Sequence, residues 1–372
     1  MLNVLKPHHS TLAAGTTLEL IDITAEAARM PGFDSHEQVW LGRDSVRGLT
    51  AIVAVHTTVL GPALGGTRIW PHASFEAGVT DALRLSRGMT FKSAIAGLPL
   101  GGGKAVIIAD AKTEKTPQML EAYAEMLNAL EGQYITAEDV GMTLADADFL
   151  AARARNVSGT TRGGSGNPSP FTAQGTFLGL KAALGHRTGG DKLSGVRVAV
   201  QGLGSVGWSL CEKLHAEGAI LTVSDLDTVR TDRAAEKFGA AVVEGNAIIA
   251  ADVDIFAPCA LGGILSADTI PQLKAGIVAG AANNQLATAD DGERLVERGI
   301  LYAPDYVINA GGVINVAAEM ADGGYDVATV TPRVARIADT LTAIFRRAER
   351  EGRTTDAVAE AMAREIVEAA RK

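Results

Sequence analysis

Residues 196–227 read VRVAVQGLGSVGWSLCEKLHAEGAILTVSDLD. The run Val196–Gln201 has the short, apolar, β-branched character of a buried strand, and the glycines after it open a helical pattern that leads to a second strand ending at Asp225. In that setting Gly202-x-Gly204-x-x-Gly207 has a physical reading. The first glycine permits a tight turn and the second lets backbone approach a pyrophosphate. The third lets helix and strand close up, while the amides at the helix start, around Ser205 and Val206, meet negative charge. The glycine spacing alone is weak, and a glycine-rich turn holding nothing is its alternative; the acidic residue about twenty positions on gives it weight. Asp225 is suited to ribose hydroxyls and would repel a 2′-phosphate, which favours NAD over NADP, although Arg230 and Arg233 stand close by in sequence.

Further strand patterns follow at Val253–Pro258, Gly276–Gly280 and Ile300–Pro304, each with a helical or glycine-containing segment after it. Buried parallel strands with helical crossovers explain the repetition, so this part reads as a doubly wound, Rossmann-type sheet. Small and polar residues gather where the strands end, in APCALGG from Ala257, AGAANN from Ala279 and APDYVINAGG from Ala303. Ligands of open α/β sheets bind outside the carboxyl ends of the strands, so Ala257, Ala281, Asn283 and Asn309 are expected to face cofactor or substrate. Upstream, strand patterns at Leu49–Val59, Ala105–Ala109 and Tyr134–Ala137 alternate with helices at Ser74–Phe91 and Thr116–Leu130, again α/β. The Gly, Ser, Asn and Pro of Gly159–Pro170 read as a connection between folding units. The expected organisation is a domain over 1–160, a dinucleotide-binding domain over 161–326 and a helical tail, 327–372, that packs back on the first domain.

The 372 residues are 47% hydrophobic and 21% charged, a globular balance with room for two domains. A net charge of −9 without a long basic run argues against nucleic acid and anionic membranes. No apolar run is long enough to span a bilayer, and the N-terminal residues lack a secretory pattern, so a cytoplasmic protein is expected. Cys211 and Cys259 are too few for a disulfide framework, and His8, His9, His36, His56, His72, His186 and His215 never fall at zinc-ligand spacing. No metal is expected.

Gly97–Asp110, GLPLGGGKAVIIAD, poses a different problem. A phosphate-binding P-loop would need glycine where Leu98 stands and a hydroxyl where Ala105 stands. Lys104 therefore has another task. Set between glycines and an apolar strand, its amine would be desolvated and pushed toward neutrality, as a general base requires, unless the side chain merely snorkels from a strand end. Lys92 and Asp139 are the other unusual charged residues of this half.

With GPALGGTR from Gly61, GMTFKSA from Gly88, GLPLGGGKAVI from Gly97, YITAEDVG from Tyr134, SGNPSPFTAQG from Ser165 and YAPDYVINAGGVINVA from Tyr302, the chain resembles the glutamate/leucine/phenylalanine/valine group of amino-acid dehydrogenases from about Val39 onward. It looks closest to the leucine-using subgroup, whose usual start is shorter than the first twenty or so residues here. The resemblance implies reversible oxidative deamination of an L-amino acid to the 2-oxo acid and ammonium, with NAD as cofactor and a homo-oligomer, often an octamer. By analogy Lys92 and Asn283 bind the substrate carboxylate, Lys104 activates water, Asp139 exchanges protons with the nitrogen, and Thr172 contacts the nicotinamide. Gly65 and Gly66 join the substrate-binding positions. Leu64 stands where glutamate-using relatives carry a lysine, and the implied side-chain pocket of Leu60, Leu64, Ala137, Val313 and Val316 is aliphatic. A branched-chain substrate is expected, with an aromatic one as the alternative. A nucleotide sensor of the same fold would need neither Lys104 nor Asp139, and a hydroxy-acid dehydrogenase would want a histidine that no rim segment supplies.

Overall fold

Alternation along Leu49–Thr57 sends Ile52 and Ala54 to one face of a strand and Val53 and Val55 to the other, and both faces are covered. The computed structural model describes residues 12, 15–161, 164–260, 262–321 and 323–372. His8, His9, Leu261 of the APCALGG rim and part of the Gly159–Pro170 connection lie outside the described residues. The chain forms two units. One runs to Asn167 and takes in Val316–Tyr325 and Ala363–Lys372; the other is Pro168–Asn315 with Asp326–Met362.

The first unit holds β1 (Glu19–Asp22), α1 (Thr24–Ala27), β2 (Gln38–Asp44), β3 (Leu49–Thr57), β4 (Ala63–Leu64), β5 (Thr67–Trp70), α2 (Phe75–Ile95), β6 (Gly101–Ile108), α3 (Pro117–Ala129), β7 (Tyr134–Ile135) and α4 (Leu144–Ala151). Its sheet is mixed. β1, β2, β3 and β6 pair antiparallel, β4 and β5 lie parallel to β6, and β7 lies parallel to β4. The sequence reading missed β1 and β2. Ser74 caps α2 by accepting from the Ala77 N–H, and Thr116 caps α3 by accepting from Met119, with Pro117 just inside. Val79, Ala82 and Leu83 of α2 pack on one face of the sheet, and Leu120, Tyr123, Met126 and Leu127 of α3 cover the other.

The second unit begins with α5 (Ser169–Thr188) and continues through β8 (Arg197–Gln201), α6 (Ser205–Ala216), β9 (Ile220–Ser224), α7 (Thr228–Phe238), β10 (Ala241–Val242), β11 (Ile255–Pro258), β12 (Ile277–Val278), α8 (Asp290–Glu297), β13 (Leu301–Tyr302) and α9 (Asp305–Ile308). α10 (Gly311–Ala317), α11 (Val327–Glu351) and α12 (Thr355–Ala370) follow. The sheet is parallel throughout, in the order β10-β9-β8-β11-β12-β13. Counted from β8 this is 3-2-1-4-5-6, the doubly wound order of dinucleotide-binding folds. Among the described residues no helix is long and apolar enough to cross a membrane.

Two expectations about organisation need correction. The unit boundary lies at Pro168 rather than 161, because the Gly159 and Ser165 amides donate to Glu319, a carboxylate of the first unit (3.0 and 2.6 Å). The tail does not return as a whole. α11 carries an apolar stripe, Val330, Val334, Ile337, Leu341, Ile344 and Phe345, and packs on α5 in the second unit. Glycines make the fit: a Cβ on Gly175 would stand 2.6 Å from Ile337, and one on Gly179 would stand 2.7 Å from Leu341. Only Ala363–Lys372 belongs to the first unit.

Candidate active site

The glycines before Lys104 are explained by what presses on them. A Cβ on Gly101 would lie 1.9 Å from the Thr57 carbonyl oxygen, one on Gly102 would lie 2.1 Å from the Thr90 nitrogen of α2, and one on Gly103 would lie 2.6 Å from the Tyr134 ring. The chain can therefore lay α2, with Lys92 in its last turn, directly over the start of β6. Lys104 follows at the sheet centre, opposite Ala54 of β3, and is 6% exposed.

Its ammonium donates to the carboxylate of Asp139, just beyond β7. The sequence reading set this amine between glycines and an apolar strand and named Asp139 separately; the structure makes the two partners. Burial pushes the Asp139 carboxyl up, yet the adjacent Lys104 charge and hydrogen bond, with the Arg68 charge, outweigh that and hold it below the usual carboxylate range. Glu138 moves the other way, raised by burial and by the charge of Asp139.

The run Gly65-Gly66-Thr67-Arg68 fastens the pair. A Cβ on Gly65 would strike the Gly103 carbonyl oxygen at 1.8 Å, and one on Gly66 would lie 2.4 Å from the Glu138 carbonyl oxygen and 2.9 Å from the Asp139 Cβ. Both glycines, read from the sequence as substrate-binding, thus have a packing reason to lack side chains. Thr67 Oγ1 is 2.6 Å from the Tyr123 hydroxyl and 2.5 Å from Thr136 Oγ1. Arg68 donates through Nη1 to Asp81 (3.0 Å), and its Nε lies 3.7 Å from Asp139. Nothing in the sequence reading assigned Arg68 a role, although it stands in the quoted GPALGGTR.

Of the expected side-chain pocket, Leu64 is buried, registered against Gly102 and Ile135, while Leu60 and Ala137 are half-buried. Val316 is buried and Val313 half-buried, both on α10. Beside Lys92, Phe91 carries the Arg87 guanidinium at 4.7 Å and the Arg364 guanidinium at 5.0 Å, and both arginines donate to Asp34 at 2.7 Å.

In the second unit Gly202 has φ +94° at the end of β8, where a side chain would be strained. A Cβ on Gly207 would lie 1.9 Å from the Gly202 carbonyl oxygen, so the turn closes directly under α6. Gly204 caps α6 and has open space on its Cα face. These are the features a pyrophosphate needs: a bare approach to the backbone and a helix N-terminus with amides to spare. Ser205 is exposed and Val206 half-buried at that start. Asp225 accepts from the Leu203 N–H at 2.5 Å, which ties the end of β9 to the turn, and Arg230 lies 3.9 Å from it. Ala257 is buried in β11, and the segment after it supports the turn: Ala260 abuts Gly202 and Cys259 abuts Gly207.

Asn309, 5% exposed, donates to the Ala281 carbonyl (3.1 Å) and to Asn283 Oδ1 (2.8 Å), while its own Oδ1 is buried without a partner. A buried acceptor left open on this rim fits a ligand donor. Thr172 bonds back to the Pro168 carbonyl at 3.2 Å, on the first turn of α5. The glycine turn, its carboxylate and this amide fit a dinucleotide. Among the described residues no three His, Cys, Asp or Glu side chains are grouped as a metal site.

Residues 35–156 match the family described as Glu/Leu/Phe/Val dehydrogenase, dimerisation domain, and residues 163–234 and 228–372 match Glutamate/Leucine/Phenylalanine/Valine dehydrogenase. The chain is 50% identical to a leucine dehydrogenase of Geobacillus stearothermophilus over 91% of its own length and 92% of the relative's. It is 46% identical to a valine dehydrogenase of Streptomyces coelicolor, over 90% and 93%. The crystal structure of an L-tryptophan dehydrogenase from Nostoc punctiforme superposes with a TM-score of 0.80 at 46% identity, over 91% of this chain and 97% of that one.

Proposed function

We infer the function from one premise: this chain belongs to the glutamate/leucine/phenylalanine/valine dehydrogenase family, and so is an amino-acid dehydrogenase that uses a nicotinamide dinucleotide and acts on small molecules. The substrate we propose is an aliphatic L-amino acid, leucine, valine or isoleucine. Water enters the reaction; the 2-oxo acid, ammonium and the reduced dinucleotide leave it with one proton. The observation that carries the reading is the contact of the buried Lys104 amine with the half-buried Asp139 carboxylate, clamped together by glycines in a family whose chemistry needs both.

Lys92 and Asn283 hold the substrate carboxylate. Asp139, kept ionised by its neighbours, accepts a proton from the substrate ammonium, because only the neutral amine can supply electrons for loss of the α-hydrogen. A nicotinamide dinucleotide, when bound, would supply the acceptor for that hydrogen and its electron pair. Lys104, as a neutral amine, then removes a proton from the water that attacks the imino carbon. The resulting carbinolamine takes back on nitrogen the proton held by Asp139, and its carbon–nitrogen bond breaks to leave the 2-oxo acid and ammonium, the proton on Lys104 being the one released. Activity in the deamination direction should therefore rise toward alkaline pH. Leu64, buried where a charged side chain would have no partner, disfavours glutamate. With Leu60, Ala137, Val313 and Val316 it forms the aliphatic lining, and one methylene more or less changes preference by only about 1–3 kcal/mol.

The same reading makes NAD the cofactor, since Asp225 holds negative charge where a 2′-phosphate would sit, with Thr172, Ala257, Ala281 and Asn309 completing the site around Gly202, Gly204 and Gly207. It also describes a cytoplasmic homo-octamer, which sedimentation equilibrium would test. An aromatic amino acid is the second reading, favoured by the likeness to a tryptophan dehydrogenase. Absorbance of NADH with each of the twenty amino acids separates them. Branched-chain substrates should react fastest; preference for tryptophan or phenylalanine would move the assignment to the second reading, and no reduction with any of them would remove it.

A further inference from the structure

Lys104 and Arg68 are the two cations beside Asp139, and Arg68 is the one whose charge does not change across the reaction proposed above. It reaches the cluster from β5, with Nη1 bonded to Asp81 of α2 at 3.0 Å and Nε 3.7 Å from Asp139 Oδ2. That Nε–H is buried and has no hydrogen-bond acceptor in its present position. The donor is therefore held in reserve beside a carboxylate whose nearer partner is Lys104.

The reserve has a chemical use. In the reaction proposed above Lys104 acts as a neutral amine, and in that interval the half-buried carboxylate of Asp139 loses its closest counter-charge. Burial then favours the protonated acid, which can no longer accept the substrate's proton. A guanidinium stays charged throughout the accessible pH range. The charged groups around Asp139 are Lys104 from β6, Arg68 from β5 and Glu138 beside it in the chain, with Asp81 behind Arg68 and His72 3.4 Å from Asp81.

We propose that Arg68 is a positioning residue, a permanent counter-charge anchored on Asp81 that keeps the Asp139 carboxylate aimed and ionised while Lys104 changes its protonation state. This rests on the reading of Asp139 as the proton acceptor. The test compares kcat/KM for leucine at about pH 10.5 and about pH 8, with folding followed by melting temperature and NADH binding. In Arg68→Met the ratio of the two values should rise at least about fivefold over wild type, because Asp139 is more readily protonated at the lower pH; Arg68→Lys, which keeps the charge, should stay within about twofold. Should Arg68→Met melt early, Arg68→Gln is read in the same way. A loss of activity that is uniform in pH, or a lysine variant as steep as the methionine one, overturns the proposal. Asp139→Asn separates the two levels: if it keeps the wild-type profile, the assignment of Asp139 is wrong, whereas loss of the profile there with none of the change in Arg68→Met condemns the role of Arg68 alone.

Discussion

An ammonium and a carboxylate taken out of water lose several kcal/mol of hydration each, and the loss is offset only while they face one another. Lys104 is buried and Asp139 half-buried, so removing either leaves the other a poorly solvated charge without its partner as well as a missing catalyst. Lys104→Ala should lower kcat by about a thousandfold and leave NADH affinity nearly unchanged, because the glycine turn lies in the other unit. Steady-state rates and fluorescence titration check this; turnover like the wild type would take Lys104 out of the mechanism. Both residues could be named from their motifs, whereas Arg68 could not. A guanidinium two positions after a glycine pair can face any carboxylate, and only the parallel pairing of β5 with β6 turns it toward Asp139 and Asp81.

Elements were legible where a cap or a glycine turn marked their ends; β2, at seven residues longer than β8 or β9, lacks such a mark and was missed. Ser74 and Thr116 announced α2 and α3, and the glycine spacing with its flanking runs announced β8, α6 and β9. β1 is four residues long and shows no repeat from which to judge period. The tail was read as helical and as docking on the first domain, whereas α11 docks on α5 of the second unit. The complement of the α11 stripe is the pair Gly175 and Gly179, which in a sequence look like weak points of a helix. Filling one of them tests the docking: Gly179→Val would place carbon 2.6 Å from Ile308 and 2.7 Å from Leu341, and should cost roughly 1–3 kcal/mol by overpacking. A fall in the urea midpoint at unchanged m-value is the expected result, and an undisturbed midpoint would mean that α11 yields freely.

On the scale of the whole molecule, acid stability depends on two buried histidines. His36 accepts the Asp34 N–H at Nδ1 (3.1 Å), so its proton sits on Nε2, facing the Leu83 carbonyl at 3.1 Å; its ring lies 4.8 Å from that of His56. Burial, and then the charge of His36, push His56 down from 6.5 to about 4. Between those values the unfolded chain binds a proton that the folded chain refuses, so stability falls as pH falls through this window, by about 3 kcal/mol for His56 at most. Urea unfolding from neutral pH downward should show the decline, and His56→Phe should flatten it; a wild type equally stable at both ends of the window would contradict the assignment. The seven-stranded mixed sheet that carries His56 was only half visible in the sequence, because pairing partners far apart in the chain leave no local mark.

The contact of Arg364 with Asp34 beside Phe91 has a practical side. The last stretch of the polypeptide is not spare length: it is fastened to the helix that carries Lys92, and a purification handle or fluorescent fusion placed at Lys372 pulls on that fastening. Such an extension is best cleaved before kinetic constants are taken to describe the unaltered enzyme.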